Sequence, residues 1–427
     1  MNKNLFKKIS IIILVPIIFL LMIGLKSSSN IEHSAFVVAI GLDKSPTDKN
    51  KVLVTFQIVP PQVTQQNDSN IKKVIVTSLN EDSISSAIGK VQNYISSLIN
   101  FSHTRVVVFS EELAKEGIIN YLNTISSSSQ FDTNMSIMVC KSTAEKYLNS
   151  LSENTEVNPI LYYNILRNSE NYNSATKAVT VTEFLKNYYD PCSESITSLC
   201  SVSNSKKNST DNEKKQENGS TNNSSNDTID NTENTDTSLI NKKSDIKIEI
   251  NGIALFKKDK LIGTLDNNYT TMHLMVSSKI KSAYINLIHP SLDYSKDIST
   301  NIYLWQSKKA KTNINLSSQV PYIDISIPIN VSITDTQELN YNFSDPKYIE
   351  KMKNYIDEYL QEKAVDYFKK VQKEYQIDID GFSRKIRYNF LTSKDLENYK
   401  WCDKYKSAKI NTKFEINFIS SGLSVTK

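Results

Sequence analysis

The side chains able to do acid–base, nucleophilic or metal chemistry are few and scattered. Four histidines stand at His33, His103, His273 and His289. None has the H-E-x-x-H or H-x-x-x-H neighbour that would put two imidazoles on one helix face around a zinc ion. The four cysteines, Cys140, Cys192, Cys200 and Cys402, form no C-x-x-C pair. Cys192 and Cys200 are near enough in sequence to close a small disulfide loop in an exported domain, or all four stand as isolated thiols. No G-x-S-x-G elbow, P-loop or G-x-G-x-x-G run occurs, and only 9 glycines are available to build one. Glu111 and Glu112 are adjacent, so on a helix they diverge and make a solvated first turn rather than a carboxylate dyad. His103 precedes a strand in FSHTRVVVF and reads as a histidine bonded to a neighbour. This inventory singles out no catalytic residue, metal ligand or cofactor site, and leaves only constellations assembled from distant positions as a route to enzymatic chemistry.

The N-terminus sets the compartment. Lys3, Lys7 and Lys8 precede a run from Ile9 to Leu25 that is apolar apart from Ser10 and contains Pro16. That run is at the short limit for a spanning helix, and its flanking charge keeps the N-terminus inside and sends the rest outside. Two fates compete: retention as an anchor, or cleavage after small residues such as Ser27 and Ser29. Residues 1–30 are therefore assigned as a signal-like membrane anchor. The balance of 50 basic and 46 acidic residues offers no basic face for nucleic acid.

The 427-residue chain is long enough for two or three domains. Residues 31–190 read as an N-terminal α+β domain of order βββαβαβα. Ala35–Leu42 and Val52–Val59 make a hairpin, and Val74–Thr77 a third strand. The three-and-four spacing of apolar residues over Asp82–Ile99 predicts a helix. Arg105–Phe109 is a strand, and Ser110 caps the next helix with two acids in its first turn. Met135–Cys140 and Thr143–Leu151 follow as strand and helix. Residues 191–245 are mostly Ser, Asn, Thr, Asp, Glu and Lys, too polar to offset ordering entropy, and are expected as a disordered linker. Residues 246–427 form a C-terminal α+β domain. Ile246–Phe256 and Leu261–Leu265 flank an Asp259-Lys260 turn, and strands follow at Ile302–Trp305, Thr312–Leu316 and Tyr322–Ile333. Asp345-Pro346 opens a long helix whose stripe runs Ile349, Met352, Ile356, Tyr359, Leu360, Val365, Phe368, Val371 and Tyr375. Its opposite face mixes both signs of charge, which favours packing on a sheet over lying on a membrane. Ala408–Ile419 is the last strand. The fold class is thus α+β, with mixed and antiparallel sheets, packed helices and two to three small domains.

Four segments together resemble one known family. Ile31–Lys44 (IEHSAFVVAIGLDK) is similar to its post-signal strand. Ser102–Ile118 (SHTRVVVFSEELAKEGI) is similar to its strand–helix element ending in E-L-A-x-x-G. Asn251–Leu265 (NGIALFKKDKLIGTL) follows its G-x-A-x-F-x-x-D-x-L-x-G-x-L hairpin at Gly252, Ala254, Phe256, Asp259, Leu261, Gly263 and Leu265. Asp378–Trp401 carries D-x-D-G-F and a later Lys400-Trp401. In this order they resemble the Ger(x)C family, the C subunits of germinant receptors in endospore-forming bacteria.

The resemblance implies a mixed α+β protein on the outer face of the inner spore membrane. It implies assembly with integral-membrane A and B type subunits, one of them transporter-like, in a complex that senses nutrients and releases ions. It carries over no catalytic residue and no cofactor. Two departures stand out. The family's lipobox cysteine position is occupied by Leu25, within Ile23-Gly24-Leu25-Lys26-Ser27, so no thiol is available there for acylation and anchoring falls to the apolar helix. The family's charged stretch in the first domain is replaced by Ser126–Gln130. Two other classes remain as alternatives. A solute-binding protein would need a ligand cleft between lobes. A cell-envelope hydrolase would need clustered acids or histidines in one.

Overall fold

The computed structural model describes residues 34–60, 74–153, 158–168, 174–190, 193–204, 246–291, 296–337 and 345–419. The expected anchor (residues 1–30, with Leu25), Cys192 and residues 205–245 of the expected linker lie outside the described residues.

Ten strands form the first sheet. β1 (Ser34–Lys44), β2 (Val52–Val59) and β3 (Ile75–Glu81) are an antiparallel meander. Helix α1 (Ile84–Val91) then leads to β4 (Leu98–Asn100), which pairs parallel to β1. β5 (Val106–Ser110), helices α2 (Glu111–Glu116) and α3 (Ile119–Ser127), β6 (Ser136–Cys140), helices α4 (Ala144–Glu153) and α5 (Pro159–Arg167), β7 (Val179–Thr180), helix α6 (Val181–Tyr189) and β8 (Ile196–Asn204) follow. β9 (Ile246–Lys257) and β10 (Lys260–Leu265) complete the order β10-β9-β8-β6-β5-β1-β2-β3. β1, β5, β6 and β8 run parallel at the centre, with antiparallel hairpins on either side. Both faces are covered. α4 and α5 bury Ala144, Tyr147, Leu148, Leu151, Tyr163 and Leu166 on one side. Ile84, Leu113, Leu122 and Phe184 of the other helices pack on the opposite side. This double cover is why β1 reads as a nearly continuous apolar run rather than an alternating one.

The second sheet has five strands. After α7 (Asn267–Val276) come β11 (Ser282–Pro290), β12 (Asp297–Trp305), β13 (Lys311–Asn315) and β14 (Tyr322–Thr336), all antiparallel. α8 (Pro346–Phe368) runs into a π-helical turn at Lys369–Glu374. Short helices α9 (Phe382–Ile386), α10 (Ser393–Tyr399) and α11 (Trp401–Tyr405) lead to β15 (Lys409–Phe418), parallel to β14. The strands alternate buried and exposed residues, so one face is wet and the other carries α8.

The α+β class with mixed and antiparallel sheets is as the sequence predicts. Several details differ. The helix expected over Asp82–Ile99 stops at Val91. The Gln92 side chain donates to Ser97 O (2.9 Å) and accepts from Ile99 N (3.0 Å), turning the chain so that Leu98–Asn100 joins the sheet. The helix capped by Ser110 divides at Gly117, whose φ of +123° ends α2. Ile196–Asn204, which composition put in the linker, is a strand, because Ile196, Leu199 and Cys200 supply a buried surface. The hairpin β9–β10, expected to open the C-terminal domain, pairs with β8 in the first sheet. Asp345 caps α8 as expected, accepting from Lys347 N at 2.9 Å. Val365, expected on its apolar stripe, is instead 65% exposed, and Ala364 and Tyr367 turn inward.

Candidate functional site

The four family-like segments are far apart in sequence, and each is held at a joint between packed elements. Asp43, at the end of the first segment, is buried. Its carboxylate accepts from Ala144 N (2.7 Å) and Glu145 N (2.9 Å), capping the first turn of α4 from a neighbouring strand. Burial raises its pKa, and the two amides work against that rise.

The second and third segments meet directly. At the end of E-L-A-x-x-G, Ile118 N donates to Asp259 O (3.1 Å) and Ile119 N to Asp259 Oδ2 (3.4 Å). A Cβ on Gly117 would fall 2.5 Å from Asp259 Oδ2, and the φ there is left-handed, so no other residue fits without a shift. The same hairpin is pinned from below. Gly252 N donates to Ala175 O and its carbonyl accepts from Thr176 Oγ1. Gly263 lies flat against Tyr375, where a Cβ would come within 2.2 Å of the ring. The Tyr375 hydroxyl donates to Thr264 O at 3.3 Å. The hairpin therefore ties the first sheet to the end of α8.

The fourth segment builds a buried carboxylate cluster. Asp378 accepts from Phe382 N (3.1 Å), Ser383 N (2.6 Å) and the Trp401 indole N–H (3.0 Å). Burial pushes its pKa up to about 6, with the nearby Asp380 charge adding to the rise and the three donors opposing it. Asp380 receives the Tyr367 hydroxyl at both oxygens (2.8 and 2.9 Å) and lies 2.9 Å from His273 Nδ1. Burial drives the Tyr367 phenol well up, so it acts only as a donor. Around this cluster, Arg384 reaches Asn187 of α6, and Arg387 pairs with Asp190 (2.9 Å).

Asp378 and Trp401 both belong to the fourth family-like segment, and the structure brings them together. His273 and Tyr367 lie outside those segments. His273 sits in an apolar helix 107 residues from Asp380, and Tyr367 falls between the apolar positions read for the long helix, 13 residues from it, so no local pattern pairs either with that carboxylate. Of the other histidines, His103 packs edge-on against Phe36 (4.7 Å between ring centroids). His289 bridges Pro290 O and Thr300 Oγ1 and stacks on Tyr355. Glu111 and Glu112 sit in the first turn of α2, with Glu111 paired to Lys115. Cys200 lies beside Cys140, its register partner in the neighbouring strand, while Cys192 is outside the described residues.

Among the described residues, no group of three or more His, Cys, Asp or Glu is placed to hold a metal ion. No described helix is long and apolar enough to cross a membrane. A polar cavity of about 300 Å³ opens between β8, β9 and α7, with Lys141, Glu249, Asn251, Asp266, Tyr269 and Lys370 on its wall. Three of its charged groups, Glu249, Asp266 and Lys370, have local partners, Glu249 accepting from the Asn251 amide. Asp266 caps α7 through Tyr269 N, and Lys370 lies over the Tyr269 ring and 3.5 Å from Glu374. The family-like segments thus converge on joints of the fold rather than on an open cleft.

Residues 27–202 match the family description "Spore germination protein N-terminal domain". Residues 251–422 match "Spore germination B3/GerAC like, C-terminal". Spore germination protein KC of Bacillus subtilis (strain 168) is 22% identical over 360 residues, covering 82% of this chain and 80% of that protein. Spore germination protein GerQC of Bacillus cereus is 22% identical over 190 residues, covering 44% of this chain and 49% of that protein. The crystal structure of the GerBC protein aligns with a TM-score of 0.49 at 16% identity, covering 89% of this chain and 96% of that one. With both halves matched in order, the chain belongs to the Ger(x)C family, the C subunits of spore germinant receptors.

Proposed function

We propose that this protein is a non-enzymatic subunit of a nutrient germinant receptor, exported and tethered to the outer face of the inner spore membrane. It acts there by assembling with integral-membrane subunits of the A and B types. The observation that carries the reading is the ordered pair of family matches over residues 27–202 and 251–422. The site chemistry is consistent with it. The family-like residues Asp43, Gly117, Asp259, Gly263, Asp378 and Trp401 hold helices and strands in register, which is what a docking subunit needs. The tether in this reading is the apolar run Ile9–Leu25, preceded by Lys3, Lys7 and Lys8. Leu25 supplies no sulfur for a diacylglyceryl group at that position, so in this reading the apolar run takes the place of the lipid.

Fractionation of spores tests the assembly. The native chain is expected in the inner-membrane fraction, unlabelled by a lipid precursor, and pulled down together with A and B type subunits. A chain recovered free of those subunits in detergent, or one missing from the membrane fraction, contradicts the reading.

A further inference from the structure

Cys140 and Cys200 are separated by 59 intervening residues, yet they are register partners in the adjacent parallel strands β6 and β8. Both side chains leave the sheet on the same face, into the cluster formed with Val106, Val108, Tyr147 and Tyr163. Lys141 N donates to Cys200 O at 2.9 Å, which fixes the two strands just beyond the pair. Facing residues on neighbouring strands have Cα atoms about 5 Å apart, inside the 4.4–6.8 Å span that a disulfide bridges without backbone movement.

We propose that Cys140 and Cys200 are a disulfide-forming pair that joins β6 to β8 once the chain is exported. The location rests on the reading given above; the pairing rests on the strand register alone. The two thiols carry complementary roles. The Cys140 sulfur accepts from the Cys200 thiol and lies 3.2 Å from Ser142 Oγ, and these contacts favour its thiolate. Cys200 is held as a thiol by burial.

The reaction is thiol–disulfide exchange with an acceptor disulfide, either a small-molecule disulfide or that of an extracytoplasmic oxidoreductase. The Cys140 thiolate attacks one acceptor sulfur and expels the other as a thiolate. Cys200 then loses its proton, and its sulfur attacks Cys140 Sγ and expels the second acceptor thiolate. Two protons and two electrons pass to the acceptor, which ends as two thiols. Cys140 and Cys200 are 0% and 1% exposed, so the exchange takes place as β8 docks on β6 during folding, or through local opening. The bond crosses the middle of the first sheet. It ties Ile196–Asn204 to the strand pair that precedes it, immediately before the chain leaves for the segment up to residue 245.

The test uses the full-length chain in detergent. It is refolded with oxidised and reduced glutathione, alkylated and digested without reductant. A peptide linking Cys140 to Cys200 is expected, with Cys402 alkylated. Serine replacement of Cys192 should leave the link in place. Reduction should lower the melting temperature by roughly 5–15 °C, and Cys140→Ala or Cys140→Val should remove that dependence. Separate alkylation of Cys140 and Cys200, or a link from Cys200 to Cys192, overturns the pairing. The same digest of protein trapped in intact spores addresses location separately. A link formed in vitro and absent from spores overturns the exported oxidised state while leaving the pair's chemistry intact.

Discussion

The Trp401 indole N–H donates to Asp378 Oδ2 across 3.0 Å, in a part of the second half that water does not reach. This one bond joins the segment after α8 to the helix before β15. With the amides of Phe382 and Ser383 it keeps a fully buried carboxylate anion in place.

That anion gives stability a pH dependence. The folded-state pKa of Asp378 is about 6, above its ordinary value of 3.8. A carboxyl whose pKa rises on folding holds its proton more tightly in the folded state. Its contribution is therefore fully present below about pH 4 and is lost as pH rises through 6. The shift corresponds to about 3 kcal/mol. Asp378→Asn should remove this slope between pH 4 and 6. It should still destabilise the protein at pH 7, by about 1–3 kcal/mol, because its amide nitrogen cannot accept from the surrounding donors. Thermal melts of both proteins across pH 4–7 check the two effects. Parallel curves would contradict the assignment.

The contact between Gly263 and Tyr375 is a second test. Gly263→Ala should cost about 1–3 kcal/mol through overlap with the ring. In a Tyr375→Ala background the same change should cost little, since the obstructing ring is gone. A double-mutant cycle by urea unfolding measures the coupling. Equal costs in both backgrounds would mean that the hairpin does not rest on Tyr375.

Asp43 offers a third. Asp43→Ala leaves Ala144 N and Glu145 N unpaired at a buried helix start and should cost about 1–3 kcal/mol. Asp43→Asn keeps one acceptor and should fall between alanine and the native residue. An alanine variant that melts with the native protein would show that α4 is held by packing alone.

Much of the fold is legible in the sequence where a local rule and the tertiary contact agree. The β1–β2 hairpin follows from two apolar runs around a polar turn, and Asp345-Pro346 marks the start of α8. Local rules fail where a distant partner decides. The apolar spacing through Leu98 continues a helical pattern, but Gln92 turns the chain and β1 takes Leu98–Asn100 as a strand. Ser198 and Ser201 look like linker residues, and β6 and β9 make them part of a sheet. Of the carboxylate cluster, the motif shows Asp378, Asp380 and Trp401. His273 and Tyr367 come from α7 and α8, and only the packing of those helices brings them to Asp380. The facing of Cys140 and Cys200 depends on the order of parallel strands, which no local pattern encodes.

The most direct test of the central claim is nutrient-triggered dipicolinate release from spores that lack this protein, with and without complementation by the native chain. The account predicts loss of the response to at least one nutrient, an intact response to chemical triggers, and rescue by the native sequence with Leu25 unchanged. Release at the native rate for every nutrient, in spores stripped of other C subunits as well, would contradict a role in germinant reception.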